Sequence, residues 1–354
     1  MSARDVIQRA LGVIRRYDGP PVRIMEVCGT HTHEIFRLGI RGLLPNQVRL
    51  ISGPGCPVCV TPVGYIDEAI WLALEKGCVI ATFGDLIRVP GTEMSLADAR
   101  ARGARVETVY SPLDALKLAK EEPDREVVFL SVGFETTTPS SVISVRNAEE
   151  QGVRNYTILT ANKTMDNAYR ALKGSADAFL YPGHVSTMTG TAIYRELLEE
   201  GVSGVVTGFT GAELLSALAV ILRRLPEGKP FFVNAYPRVV TDEGSPASRD
   251  LVRRFMEPVD SEWRGIGVIP DSGLQLREAY AAFDARKKHD VPPIRGRANP
   301  GCHCGEVLRG SIRPDQCPMF GRACTPVHPA GACMVSSEGA CAAFYKYDLR
   351  QEQQ

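Results

Sequence analysis

Ten cysteines stand in this 354-residue chain, and six of them fall in the forty residues from Cys302 to Cys341, CHCGEVLRGSIRPDQCPMFGRACTPVHPAGACMVSSEGAC. Thiols this dense need a common task. In a reducing compartment clustered cysteines serve metals or redox exchange rather than structural disulfides. One Zn²⁺ takes four thiolates, but structural zinc favours paired knuckles with about two to four intervening residues, and the tail lacks such pairs. A [4Fe–4S] cluster also takes four thiolates and tolerates irregular spacing, because its ligands approach a cube from several sides. Two of Cys302, Cys304, Cys317, Cys324, Cys333 and Cys341 would then remain, enough for a disulfide beside the cluster. The C-x-x-x-C-x-x-C spacing of radical S-adenosylmethionine chemistry is absent.

The other reactive residues follow short apolar runs. VRIMEV leads into CGTHTHE (28–34), VRLI into SGPGCPVCVTP (52–62), CVIAT into FGD (83–85), EVVFLSV into GFETTTP (133–139) and ADAFLY into PGHVS (182–186). Each apolar run reads as a strand. In open α/β sheets ligands bind beyond the carboxyl ends of the strands, so these loops should line one cleft. Cys28, between a strand and a helix, would meet unpaired N–H groups that favour a thiolate. His31 and His33 share a side only on extended backbone. A buried cysteine beside two loop histidines is the bland alternative, and the company of the other loops favours a metal-binding thiolate. Cys56 and Cys59 form a Cys-x-x-Cys in a Gly/Pro turn, suited to a reversible disulfide or to half a zinc site, with the missing second pair favouring the former. Glu135 would face the cleft, unless GFETTTP is simply a turn with a Thr cap. His184 is either an exposed loop residue or a proton carrier near neutral pH. Cys78 opens an apolar strand and reads as core. Neither G-x-x-x-x-G-K-[ST] nor a strand-linked G-x-G-x-x-G occurs, which disfavours direct nucleotide use.

Strands alternating with helical stretches at 64–76, 112–122, 140–151, 186–200 and 211–225 indicate parallel α/β architecture. The length exceeds one core, and LAKEEPDR near 118–125 suggests a break. We therefore expect an α/β fold of two parallel-sheet domains, 20–120 and 121–236, forming the cleft, with a Cys-rich unit over 237–354 joined by the N-terminal helix 1–19. The tail is too rich in Pro, Gly and Cys to bury a core unaided, and a metal centre would organise it. Lys plus Arg and Asp plus Glu each number 41, so no basic excess points to nucleic acid or an anionic membrane. Without a signal peptide or a long apolar run, a cytoplasmic location is expected.

CGTHTH, GPGCPVC, GFETTTP, PGHVS and the ordered tail, taken together over about residues 22 to 345, resemble the hydrogenase maturation protein HypD family. That resemblance implies two α/β domains with an iron–sulfur domain, and a part in building the Fe(CN)₂CO group of [NiFe] hydrogenases. HypC would be the small partner and HypE the cyanide donor. It further implies that Cys28 binds the transient Fe(CN)₂CO iron with support from His31 and His33, and that Cys56 and Cys59 are redox-active. Cys302, Cys317, Cys324 and Cys341, spaced C-x14-C-x6-C-x16-C, would hold the [4Fe–4S] cluster, leaving Cys304 and Cys333 as a second pair. The arrangement is similar to ferredoxin:thioredoxin reductase, and that analogy selects Cys302 over Cys304. Cyanide and carbonyl favour low-spin Fe(II), for which a thiolate is a suitable anchor. A ferredoxin-linked thiol–disulfide oxidoreductase without iron at Cys28 is the rival reading. A zinc-stabilised adaptor is the third.

Overall fold

The computed structural model describes residues 2–348. Met1 and residues 349–354, which belong to the expected spans 1–19 and 237–354, lie outside the described residues. Eleven strands among the described residues form two sheets: β1 (Val22–Glu26), β2 (Val48–Ser52), β3 (Val79–Thr82), β4 (Val106–Thr108), β5 (Val127–Gly133), β6 (Tyr156–Lys163), β7 (Ala178–Pro182), β8 (Gly204–Thr207), β9 (Phe232–Asn234), β10 (Met256–Trp263) and β11 (Gly267–Leu276). The first sheet is all-parallel, in the order β2-β1-β7-β8-β9. The second runs β10-β11-β6-β5-β3-β4, parallel from β6 to β4 and closed by the antiparallel pair β10–β11. The fold is thus α/β with parallel-containing sheets.

The strands are shared between sheets differently from a cut near 118–125. β1 and β2 start the first sheet, β3 to β6 build the second, β7 to β9 return to the first, and β10 and β11 go back to the second. Central parallel strands such as β5, buried at every position, are apolar almost throughout and carry no mark of the sheet they join. β10 and β11, read as part of the tail, extend the second sheet; β10, at its edge, alternates half-buried and exposed positions between its buried ends. The expected helix over 186–200 is two helices, Gly183–Thr189 and Ala192–Glu199, broken at Gly190. Gly190 has φ +79°, and a Cβ there would lie 2.3 Å from the Asp242 carbonyl oxygen, so glycine is required.

Helix α1 (Ala3–Arg15) begins with Ser2 and Asp5 capping each other. Its buried Ala10, Leu11 and Ile14 join Leu214, Leu218 and Ile221 of the helix Gly211–Arg224. The helix therefore packs on the first sheet's helical layer rather than with the tail, because its apolar stripe finds a matching stripe there. Each large aliphatic side chain so buried contributes about 1.5–3 kcal/mol.

At the first sheet's carboxyl edge the buried Glu26 accepts from Ser52 Oγ at 2.8 Å and pairs with Arg41. A carboxylate with no exposure is costly unless paired. This pair ties together the ends of β1 and β2, from which the loops of Cys28 and Cys56 depart. Among the described residues no helix is long and apolar enough to cross a membrane.

Candidate thiol and iron site

Cys28 leaves β1 and caps helix α2 (Gly29–Arg37), the helix expected there. The glycine turn after β2 lies flat against it. Gly29 N–H donates to Gly55 O at 2.9 Å, and a Cβ on Gly55 would stand 2.1 Å from Cys28 N. Any side chain at 55 would separate the two loops. Burial pushes the Cys28 thiol up to about 12, outweighing the His31 and Thr30 N–H groups that pull it down, while Glu338 nearby raises it further. The expectation of a ready thiolate is therefore corrected: unmetallated, Cys28 keeps its proton, because loss of water outweighs the helix end.

His31 and His33 sit on a helix, where two residues turn through about 200°, so they part company. His31 is fully buried and its Nε2 lies 3.0 Å from Gly208 O. A carbonyl can only accept, so Nε2 carries the hydrogen, and Nδ1 has no protein partner among the described residues. Burial depresses its pKa from 6.5 to about 4, leaving a neutral ring with a free acceptor. His33 instead faces the tail, where Nδ1 donates to Ser337 O at 3.1 Å and Nε2 accepts from Tyr347 Oη at 3.3 Å. His184 stacks on Phe209 with ring centroids 3.9 Å apart, and Phe209 also packs on His31 at 4.8 Å.

A native pKa below the unfolded value means that His31 stabilises the fold fully above pH 6.5 and progressively loses that contribution as pH falls through 4. The shift corresponds to about 3 kcal/mol. Replacing His31 by Gln, whose amide can still donate to the Gly208 carbonyl, is expected to flatten the loss of stability between neutral pH and pH 4.5 by that order. Anaerobic urea unfolding at the two pH values measures it, and parallel curves for the two proteins contradict it.

Cys56 caps the short helix α3 (Pro57–Val60), its Sγ accepting from Cys59 N–H at 3.2 Å. Cys59 is fully buried, and burial first, then the neighbouring Cys333 and Cys56 thiols, push it well above its ordinary value. Cys333 also touches Cys304 and Cys341, and Cys304 touches Cys302. The Cys-x-x-Cys is therefore continuous with the tail rather than remote from it. The helix Ala332–Val335 packs directly on α3.

All six tail cysteines line one small apolar pocket, together with Val307, Met319, Phe320, Ala330, Gly331 and Met334. A Cβ on Gly331 would lie 2.5 Å from Cys302 Sγ, so the chain must be bare where it passes the thiols. Ala330 N–H donates to Cys324 Sγ at 3.3 Å. Among the described residues no three His, Cys, Asp or Glu side chains converge at the spacing of a single metal ion. The thiols surround a space instead of a point.

Glu135 looks elsewhere. It accepts from Met165 N–H at 2.7 Å and shares a second cavity with Asp166, Arg170 and Arg249. Burial, then the charge of Asp166, push its carboxyl up to about 8. Cys78 is buried in the second sheet's core. Two residues escape the sequence reading. Glu338, from SSEGAC, accepts from Thr30 Oγ1 at 2.7 Å and would meet a Cβ on Gly29 at 2.5 Å, which brings a tail carboxylate to the Cys28 loop. Arg264 is buried and donates to the Val60 and Thr61 carbonyls at the end of α3. An acidic residue within the Cys-rich run was the only available signal for the first, and an arginine between Trp263 and Gly265 for the second.

Interleaved α/β sheets whose strand-end loops share a thiol cluster with a C-terminal segment define the class of protein. A family model described as "HypD: Hydrogenase formation hypA family" matches residues 5–348. The chain is 45% identical over 342 residues to the hydrogenase expression/formation protein HupD of Azotobacter chroococcum mcd 1, covering 93% of this chain and 90% of that protein. It is 44% identical over 342 residues to the hydrogenase maturation factor HypD of Azotobacter vinelandii, with the same coverage of 93% and 90%. Against the hydrogenase maturation factor HypD of Escherichia coli K12 it is 44% identical over 339 residues, 94% of this chain and 91% of that one. The chain belongs to the HypD family.

Proposed function

We propose that this protein is a maturation factor for [NiFe] hydrogenase, a redox-active scaffold on which the Fe(CN)₂CO group is assembled with HypC and with cyanide supplied by HypE. The observation that carries the reading is the gathering of Cys56, Cys59, Cys302, Cys304, Cys324, Cys333 and Cys341 in one core cluster, where the tail helix of Cys333 packs on α3, one glycine turn away from Cys28. Iron to be modified and thiols able to handle electrons would occupy one region.

Cys28 anchors the cargo iron in this reading. Its thiol must give up its proton when the metal binds, since burial otherwise holds it in the neutral form. His184 stacks on Phe209, which packs on the ring of His31. The tail pocket suits a multi-iron cluster: six thiols line one apolar pocket, a bare glycine passes beside Cys302, and a backbone N–H donates to one sulfur, an interaction that tunes such clusters. Cys302, Cys317, Cys324 and Cys341 would hold a [4Fe–4S] cluster, which supplies one-electron chemistry when bound. Cys304 and Cys333, in mutual contact, are then the pair that exchanges with Cys59. Two sheets contributing loops to a shared cleft, with the tail as an iron–sulfur unit in the cytoplasm, complete the picture.

Complementation tests the function. In a host that makes a [NiFe] hydrogenase and lacks its own factor of this family, expression of this chain is expected to restore hydrogenase activity. Failure to restore it, with HypC and HypE from the same source co-expressed and the protein folded, contradicts the proposal.

A further inference from the structure

Arg264 occupies the turn between β10 and β11 and is 6% exposed. Its backbone N–H donates to Val60 O at 2.8 Å, and its Nε to Thr61 O at 2.7 Å. Both acceptors are carbonyls, so neither neutralises the charge. Nη2, equally buried, has no partner among the described residues. A guanidinium keeps its proton in proteins, and a buried donor is costly until an acceptor meets it.

The residue stands in the wall of an open cavity of about 970 Å³, at the upper end of the roughly 300–1,000 Å³ of small-molecule sites. The other walls come from the loop 88–98 after β3, the stretch 297–300 and the tail segment 319–330. Its charges are unevenly matched. Of the two acids in the wall, Glu93 accepts from Arg297 at 2.9 Å, and Asp98 accepts the Ser95 N–H at 2.8 Å in capping the helix Leu96–Ala101. Arg88 donates to a carbonyl, that of Pro326, at 2.7 Å. Among the described residues, Arg88 and Arg264 thus border the cavity with no carboxylate bonded to either.

The walls are held in place without a ligand. Gly265 has φ +75°, and a Cβ on it would stand 2.3 Å from the Cα of Gly305, so the turn that carries Arg264 is pressed backbone to backbone against the tail. Across the cavity, Thr92 donates to Asp67 from its N–H at 2.7 Å and from its Oγ1 at 2.6 Å, and Arg297 N–H donates to Thr92 Oγ1 at 2.8 Å. These bonds strap two walls to each other, and a preformed cavity loses little in ordering when it binds.

We propose that this cavity is a binding site for a small organic oxyanion, whose phosphate or carboxylate oxygens meet Arg264 and Arg88. A guanidinium fork matches the paired oxygens of either group. The volume leaves room for an organic body against Val63, Met94 and Val327. Met319 and Ala330 line both this cavity and the thiol pocket, so the bound anion and the tail cysteines share a wall. Binding there requires no iron, and the inference stands or falls apart from the function proposed above.

Isothermal titration calorimetry of the full chain at fixed ionic strength tests it, with phenyl phosphate and benzoate as separate probes that differ only in the head group. At least one is expected to bind saturably at one per chain, and the tighter of the two identifies the head group. Arg88→Gln, at an exposed position, is expected to keep the fold by circular dichroism and to weaken that binding roughly tenfold or more, as is Arg264→Gln. Arg264→Lys, which keeps the charge and loses the fork, is expected to fall between. Arg254→Gln removes an exposed arginine outside the cavity and is expected to bind like the wild type. If Arg264→Gln does not fold, Arg88→Gln and Arg264→Lys decide. No saturable binding of either probe, wild-type binding in the folded Arg88 and Arg264 variants, or an equal loss in Arg254→Gln overturns the proposal.

Discussion

Replacing Cys324 by Ala is expected to cut the iron bound per chain from about four to near zero and to loosen the whole segment from Cys302 to Cys341. Cys324 lies on the wall of the pocket, 7% exposed, and its sulfur accepts the Ala330 N–H. Alanine would leave that donor unanswered and the cluster one ligand short. The segment has little else to hold it. Its helices are short, Cys304–Leu308, Ala332–Val335 and Ala340–Tyr347, and the apolar residues between Gly310 and Cys324 are few. Loss of a structural metal centre belongs with the largest single-residue effects, on the order of 4–5 kcal/mol or more. Iron and sulfide analysis with limited proteolysis of the tail measures both consequences. Unchanged iron content together with an unchanged proteolytic pattern would remove Cys324 from the ligand set.

Cys59→Ser is expected to abolish hydrogenase maturation in complemented cells while leaving the iron of the tail in place. Serine nearly matches cysteine in volume, so the closely packed α3 should persist, but it cannot enter a disulfide or carry a thiolate. Cys59 is the link in the thiol chain, touching Cys56 on one side and Cys333 on the other. An electron-handling role makes that link indispensable; a merely structural pair would tolerate the change. Hydrogenase activity near background with about four iron atoms per chain is the expected combination. Normal activity would reduce Cys59 to a packing residue.

The chemistry at strand ends was legible because the sequence switches from apolar runs to glycine, histidine and cysteine at the point where each strand stops. MEV before CGTHTH and RLI before SGPGCPVC are of this kind, and the Cys28 and Cys56 loops do lie together, joined through Gly55. Glu135 follows the same pattern but turns to Met165 and Asp166, since a loop may leave a strand end toward either side of the sheet. The histidines illustrate a second limit. His-x-His reads as one face only on extended backbone, and Cys28 starts a helix instead, so His31 goes to the buried side and His33 to the tail.

Long-range pairing was less visible. β5 and β7 are both continuous apolar runs, and nothing in such a run states which neighbour it will choose. That is why the two sheets draw their strands from both halves of the chain. The contact of Cys59 with Cys333 was hidden for the same reason, since it depends on the tail packing against α3 rather than on spacing. Arg264 and Glu338 carried only a faint local signal, an arginine between Trp263 and Gly265 and an acidic residue within the Cys-rich run. Their importance comes from burial, from unanswered or shared polar atoms and from glycines that let backbones touch.

Infrared spectroscopy of the protein co-purified anaerobically with HypC tests the central claim most directly, because metal-bound cyanide and carbonyl absorb where proteins do not. The wild-type complex is expected to show the cyanide and carbonyl stretches of one iron site. The Cys28→Ala complex, still folded and still carrying the iron of the tail, is expected to show none. Bands that persist in Cys28→Ala would contradict the iron anchor, and bands absent from a competent wild-type complex would contradict the scaffold itself.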